Sequence, residues 1–476
     1  MSSLKRSASP AFSPPSKRFG SPSTPISPAL ASTSASRFAW LDRIGKNETL
    51  LHAKYGDPRP SSKVAWFDFV GTLVEPISIN KYCQSATDWK WLERKQPKGS
   101  EGREEPDELP DVVVKVRELY DNGYSIVIYS STTLDEEYFD DFQEIVQAAC
   151  TELDVPLHAF FSTGYDVYRS PCVGVWLEYE REWNGGQAVN LKKSLLVSHA
   201  SGVGRLDYAR KFASNVALPF HIPGAFFHGE DVDAPWSLQG WNPKKFAHSE
   251  WLYMPTSTPL IPRQRSEFDD PIADVVLFVG PPASGKTSFY YRHFEKHGYE
   301  RITSNDVDHL ESKLRSTPAQ HRYVLDFSLA SRASRAPFVR LVKLLSAPPA
   351  LTSPATAAPS LTREPRPRCV VRCLEFVVSE EVCKHNSQFA ELWDHSAGGR
   401  GYDTPEGRSR EFTPEEEFTE WRMSVQAPKV SEGFDEMKQV RFKFDEAWPT
   451  REQGKARLKL WGKYGDCYKK DWMTRK

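Results

Sequence analysis

Long apolar runs are missing from this 476-residue chain. Nothing approaches the roughly 20 consecutive apolar residues that a bilayer-spanning helix needs. The N-terminus has no signal-peptide core, so a soluble intracellular protein with no membrane partner is expected. Cysteine is sparse. Seven residues, odd in number and scattered from Cys83 to Cys467, make no disulfide framework and point to a reducing compartment. Excess charge of either sign is also lacking: a formal net charge of −1 gives no overall attraction to a polyanion, so any nucleic-acid surface must be a local patch. Familiar metal-ligand spacing is absent too. Cys369, Cys373, Cys383 and His385 follow C-x3-C-x9-C-x-H, and alternation along a strand accounts better for the first two. No repeat of solenoid period is visible.

What the chain does contain is one stretch around which the rest is organised, Asp274 to Glu295. Val275 to Val279 is a continuous β-branched and aromatic run suited to a buried parallel strand. Gly280-Pro281-Pro282-Ala283-Ser284-Gly285-Lys286-Thr287 then completes a G-x-x-x-x-G-K-T phosphate loop, and a helical pattern follows. The glycines let successive N–H groups face one anion. Lys286 is placed for the β- and γ-phosphates, Thr287 for Mg²⁺, and the helix directs its positive end at the same charge. ATP with Mg²⁺ is the expected ligand.

Residues 1–36 are rich in Ser, Pro, Ala and Thr and are expected to be disordered. Within them Lys5-Arg6 and Lys17-Arg18, near Ser-Pro and Thr-Pro pairs, read either as a two-part nuclear import signal or as ordinary charges of a solvated tail. Residues 37–227 alternate strand and helix: within Val64 to Val74 an apolar strand ending on an acid, Asp68, and a Gly-Thr turn, then a helix from Pro110 to Tyr120, a strand from Tyr124 to Tyr129, a helix near Leu134 to Leu153, and another strand at Ser194 to His199. Arg94 to Asp111 reads as a charged surface insertion. Residues 228–271 form a connector, expected to dock through Trp236, Trp241 and Trp251. In 272–446, strands at Tyr323–Phe327, Cys369–Val378 and Asp435–Phe444 are separated by two flexible tracts, Ser346–Arg368 and Ser396–Glu417. The expected class is α/β with two doubly wound parallel-sheet domains, ligands lying at the strands' carboxyl ends. Residues 447–476 are basic with interleaved aromatics. They read either as a nucleic-acid contact or as a helix packing its rings on the preceding domain.

Taken together, these residues resemble the eukaryotic, fungal-type polynucleotide kinase 3′-phosphatase family, in which a haloacid-dehalogenase-like phosphatase precedes a P-loop kinase. Phe67-Asp68-Phe69-Val70-Gly71-Thr72-Leu73 is similar to its F-D-x-D-G-T-L signature, Tyr168-Arg169-Ser170-Pro171 to its Y-R-K-P, and Leu218-Pro219-Phe220 recurs in order. In the second half the phosphate loop, Ser304-Asn305-Asp306, Asp326, Ser334-Arg335, His385-Asn386 and Glu432-Gly433-Phe434 match in order and spacing. The resemblance implies a DNA-end-processing 5′-hydroxyl kinase of strand-break repair in the nucleus, acting on DNA ends, with the disordered tail available to repair proteins. It implies Asp306 as general base, with Asp326 and Arg335 as further catalytic residues.

The first half departs from the family where chemistry matters. Asp68 holds the nucleophile position, but Val70 replaces the general acid, Ser170 the phosphate-binding lysine, and Ser198-His199 the metal-binding Gly-Asp pair. Asp68 is therefore expected to be vestigial unless Asp207 supplies a carboxylate. In the kinase half, Gln388 and Ala390 stand where lid arginines are expected, leaving Arg400, Arg408 or Arg410 as substitutes. Two other functions remain open: a non-catalytic binder of nucleic-acid ends or partner proteins, and a kinase acting on RNA ends or a small molecule.

Overall fold

The computed structural model describes residues 37–79, 83, 85–94, 109–132, 138–204, 206–231, 235–262, 272–316, 322–346, 368–396, 412–447 and 450–465. The paired basic residues of the tail, most of the Arg94–Asp111 insertion, the Ala/Pro tract, Arg400, Arg408 and Arg410, and the last aromatics of the basic segment lie outside them.

Two sheets carry the chain. The first is built from β1 (Phe38–Trp40), β2 (Leu50–Tyr55), β3 (Val64–Asp68), β6 (Ser125–Ser131), β7 (Leu157–Ser162), β8 (Leu195–Val197) and β9 (Phe220–His221), in the order β1-β2-β7-β6-β3-β8-β9. A small ribbon of β4 (Val74–Glu75) and β5 (Lys90–Trp91) lies beside it in sequence. The strands from β7 to β9 are parallel; β1 and β2 extend the edge antiparallel. Helices α1 (Asp111–Asp121), α2 (Phe139–Leu153), α3 (Gly174–Glu178), α4 (Tyr208–Val216) and α5 (Pro223–His228) cover it. Because side chains alternate across a strand, a wholly apolar strand feeds two cores. Ala65 and Phe67 of β3 join Ile126 and Ile128 of β6 on one face, with α1 and α2. Val64 and Trp66 join Val127 and Tyr129 on the other, with α3 and α4.

The second sheet contains β10 (Tyr253–Met254), β11 (Ile272–Val279), β12 (Tyr299–Ile302), β13 (Arg322–Leu325), β14 (Arg368–Val377) and β15 (Glu436–Arg441), ordered β10-β15-β14-β11-β13-β12. All neighbours are parallel except β10 against β15. Its helices are α6 (Lys286–His293), α7 (Val307–Ser316), α8 (Arg332–Ser346), α9 (Glu380–Ser396), α10 (Glu415–Ser424) and α11 (Arg451–Trp461). Here too the central strand feeds both faces: Val275, Leu277 and Val279 pack under α7 and α8, Val276 and Phe278 against α6. Where β11 enters the sheet, the buried Arg372 of β14 forks onto Asp274 (Nε–Oδ1 2.9 Å, Nη2–Oδ2 2.5 Å) and donates to Leu260 O at 2.8 Å; Tyr299 also donates to Asp274.

The two halves touch. Leu392 of α9 is buried in the core under α3 and α4, and the Tyr168 and His395 rings lie edge to face at 5.3 Å. The strand from Val64 ends on its acid, Asp68, and the Gly-Thr turn follows, with Phe69 O collecting the N–H groups of Thr72, Leu73 and Val74 and Gly71 at φ +75°. Two expectations need correction. The helix placed near Leu134 begins at Phe139. Of the connector tryptophans, Trp241 docks, stacking near His385 and Trp461, whereas Trp236 and Trp251 are 53% and 50% exposed. Among the described residues no helix is long and apolar enough to cross a membrane.

Candidate nucleotide site and the Asp68 site

β11 delivers the phosphate loop to the carboxyl edge of the second sheet, and α6 begins at Lys286 with Gly285 at φ +95° before it. A left-handed backbone there suits glycine, while Ala283 holds φ +53° without that freedom. At Gly280 a Cβ would stand 2.5 Å from Phe376 Cβ on β14, so the close strand approach requires glycine. Lys286 Nζ donates to Gly280 O at 2.8 Å and Pro281 O at 2.7 Å. Burial pushes its pKa below the ordinary lysine value, with Asp326 opposing. Ser284 Oγ is buried without a hydrogen-bond partner.

Asp326 follows β13, the immediate neighbour of β11, and its Oδ2 accepts from Thr287 Oγ1 at 2.8 Å and Arg301 Nε at 2.7 Å. Arg301 also reaches Thr287 Oγ1 at 3.3 Å. The structure thus brings Lys286, Thr287 and Asp326 together. It adds Arg301, which sequence reasoning missed; the available signal was a charged residue on β12 sharing the face of buried Tyr299.

Two other expected residues sit differently. Asp306, beyond β12, is exposed and caps α7: its Oδ1 accepts from Asp308 N at 2.9 Å and His309 N at 3.4 Å. Arg335 is 0% exposed. Its guanidinium forks onto Glu432 (Nε–Oε2 2.9 Å, Nη2–Oε1 2.7 Å) and ties Leu329 O and Ala330 O through Nη1. Four of its five donors are thereby engaged within the fold, so Arg335 fixes the turn between Asp326 and α8.

Beside the loop is a cavity of about 480 Å³. Its walls include Phe376, Phe389, Phe442, Phe444 and Trp461, with Arg292 and Arg457 at its edge. α9 contributes Asn386, whose Nδ2 donates to Ala283 O at 3.3 Å and whose Oδ1 accepts from Trp461 Nε1 at 2.9 Å. α11 packs its last residue here: Trp461 is buried among Phe246, His248, Phe442 and Phe444.

In the first sheet Asp68 ends β3 and is buried. Its Oδ1 accepts from Phe69 N at 2.9 Å and Ser130 Oγ at 3.0 Å, its Oδ2 from Ser198 Oγ at 2.8 Å and Tyr208 Oη at 3.1 Å. His199 Nδ1 is 3.8 Å away. Asp207 does not join them: its Oδ2 is held by Lys211 Nζ at 3.1 Å and Gln239 N at 2.6 Å. Among the described residues no group of three His, Cys, Asp or Glu side chains is arranged to hold a metal ion.

A sheet with an acid at the end of its central strand, followed by a sheet with a strand-borne phosphate loop, defines the class: a haloacid-dehalogenase-like domain joined to a P-loop kinase domain. Comparison with known proteins agrees. Residues 63–227 match the family described as "Polynucleotide kinase 3 phosphatase", and residues 275–311 match one described as "AAA domain". The bifunctional polynucleotide phosphatase/kinase of Schizosaccharomyces pombe is 24% identical over 415 residues, covering 84% of this chain and 86% of that protein. The polynucleotide 3′-phosphatase ZDP of Arabidopsis thaliana is 26% identical over 38% of this chain and 26% of its own length. A putative bifunctional polynucleotide phosphatase/kinase of Acanthamoeba polyphaga mimivirus is 23% identical over 40% of this chain and 52% of its own. Over most of its length the chain is thus similar to a fungal bifunctional polynucleotide phosphatase/kinase, and its first domain matches the polynucleotide kinase 3 phosphatase family. A crystal structure of fungal RNA kinase overlaps 40% of this chain at 9% identity and a TM-score of 0.24, too low to carry an argument.

Proposed function

We propose that the protein is an ATP-dependent polynucleotide 5′-hydroxyl kinase acting on DNA ends, joined to a phosphatase-like domain without 3′-phosphatase activity. The observation carrying this is the contrast between the two sites. At the phosphate loop a lysine, a threonine and a strand-end carboxylate converge; around Asp68 every close side-chain partner but a histidine is an uncharged hydroxyl.

The loop residues fit a nucleoside triphosphate. Ser284 Oγ is an orphaned buried hydroxyl in the cradle, Lys286 has only carbonyl oxygens to satisfy it, and the neighbouring aromatic cavity suits a nucleobase. Backbone N–H groups from Gly280 through Thr287, Pro281 and Pro282 excepted, orient the phosphates, and Lys286 offsets the charge that develops on them. Thr287 and Asp326 would hold Mg²⁺, which when bound neutralises phosphate oxygens. Arg301 holds the Asp326 carboxylate against Thr287. Asp306 has one oxygen fixed by the α7 cap, and its other oxygen is left to take the proton of the attacking hydroxyl.

At the Asp68 site, attack on phosphorus needs a cation to balance the incoming dianion and an acid to protonate the leaving oxygen. Serines and a tyrosine supply hydrogen bonds but no positive charge, and Val70 has no proton to give. The basic pairs Lys5-Arg6 and Lys17-Arg18 support nuclear import, and the tail that carries them is proposed to bind repair proteins. The test is transfer of labelled γ-phosphate from ATP to 5′-hydroxyl DNA and RNA oligonucleotides by wild type and Lys286→Ala. Transfer by wild type alone supports the kinase. Equal background from both, with retained binding of DNA ends, replaces it with the non-catalytic reading, and transfer confined to RNA moves the substrate class.

A further inference from the structure

The last described turn of the chain joins the two domains at a single asparagine. Asn215, buried on α4 of the first domain, treats the backbone of Tyr464 as a strand would: Tyr464 N donates to Oδ1 at 2.7 Å, and Nδ2 donates to Tyr464 O at 2.8 Å. The same Nδ2 donates to Pro171 O at 2.8 Å, and Lys463 Nζ donates to Asn215 O. Pro171 follows Ser170, whose N–H meets Tyr129 Oη and Ser131 Oγ beside the Asp68 site.

Three residues before Tyr464, Trp461 forms a wall of the cavity at the phosphate loop. Its indole N–H holds Asn386, which holds Ala283 O, and its own carbonyl meets His385 Nε2 at 2.6 Å. Gly465 closes the strap against α9: a Cβ there would collide with Gln388 Oε1. Hydrogen bonds at each end, joined by the backbone from Trp461 to Tyr464, therefore connect the Pro171 turn through Asn215 and Tyr464, then Trp461 and Asn386, to the phosphate loop.

We propose that residues 450–465 are a strap closing the nucleotide cavity, and that the phosphatase-like domain, through Asn215, holds this strap and so sets the nucleotide affinity of the kinase domain. Asn215 and Trp461 are positioning residues, and the proposal rests on the phosphate loop being the nucleotide site. The first domain then has a role apart from its own chemistry: it keeps the binding-competent form of its neighbour populated. When the strap is loose, apparent affinity falls by the fraction of molecules still closed. Losing the two hydrogen bonds to Tyr464 corresponds to roughly a tenfold shift.

The experiment uses the full chain and two readouts: binding of a fluorescent ATP analogue with Mg²⁺ together with the KM for ATP, and hydrogen exchange at the amides of residues 280–290 without nucleotide. Asn215→Ala is expected to weaken binding and raise KM about tenfold while kcat moves less than twofold, with faster exchange in the loop. Gly465→Val, which pushes the same end of the strap off α9 without touching Asn215, should do the same and decides the matter if Asn215→Ala does not fold. Lys286→Ala removes binding without altering exchange across the strap. Wild-type affinity and wild-type exchange in both strap variants overturn the proposal. A wild type that binds no nucleotide overturns the phosphate-loop assignment instead, and exchange at 280–290 still tells whether the strap reaches the loop.

Discussion

Arg335 offers the sharpest separation between a residue that reacts and a residue that positions. Its guanidinium is fully buried and forks onto Glu432, itself nearly buried, at 2.9 and 2.7 Å. Burial opposes the charge of Glu432, but the paired guanidinium more than offsets this and holds the carboxyl below its ordinary pKa. Glu432→Gln removes one charge and strands the other, which for a buried pair costs about 3–5 kcal/mol. That is a large share of the 5–15 kcal/mol typical of a folded domain. Replacing both partners, Arg335→Met with Glu432→Met, removes the stranded charge. What remains is the lost donation to Leu329 O and Ala330 O and the lost acceptance from Lys429 N, together about 1–3 kcal/mol. The double variant is therefore expected to be more stable than Glu432→Gln and to retain phosphoryl transfer within tenfold of wild type. Urea denaturation measures the first and steady-state transfer to a 5′-hydroxyl oligonucleotide the second. A double variant that folds well yet loses transfer by about 10³ or more would return Arg335 to the reaction as a transition-state arginine.

Two further outcomes follow from local geometry. Gly280→Ala drives a methyl into Phe376 Cβ and is expected to cost about 1–3 kcal/mol in stability and to abolish ATP-analogue binding, read by calorimetry; unchanged binding would mean β11 and β14 can separate freely. The second concerns acid. His52 Nε2 and His158 Nδ1 lie 3.1 Å apart in the first core, where burial, then the neighbouring imidazole and Lys54, lowers His52 to about 3; burial and Lys54 lower His158 to about 4. The unfolded chain binds these protons near pH 6.5, so the stability is fully present above that value and is lost as pH falls toward 4 and then 3. The urea midpoint should fall steeply below pH 6.5, and His52→Gln should flatten that slope; an equal slope in both would clear the pair of any part.

The phosphate loop was legible because each of its requirements is local: glycine where the backbone turns, lysine and threonine at the helix start, an apolar strand before. The alternation of β3, β6 and β11 was legible for the same reason. Asp326 could be read as a strand-end acid, but its grip on Thr287 depends on β13 lying next to β11, and Arg301 enters only because β12 lies next again. The hydroxyl cage of Asp68 draws on positions 130, 198 and 208, brought together by three strands and a helix, so sequence showed what was missing from the site and not what replaced it. Asp306 and Asp207 illustrate the limit: an acid near a motif is as readily a helix cap or a lysine partner. The short β1 and β2 left no local signal, and the interleaved aromatics of the strap suggested a packed helix but not its bond to Asn215 of the first domain.

Arg372, Asp274, Leu260 and Tyr299 meet at the end of the second sheet opposite the phosphate loop. A strand shifted by one residue turns every side chain to the other face, and here such a shift would also part the buried ion pair of Arg372 and Asp274. The network therefore works as a datum for the central strand. It sets how far β11 projects past β13 and β14, and thus the height at which Gly280 meets Phe376 and Thr287 meets Asp326. The position of the cradle is determined at the heel of the strand, a full strand length from any phosphate.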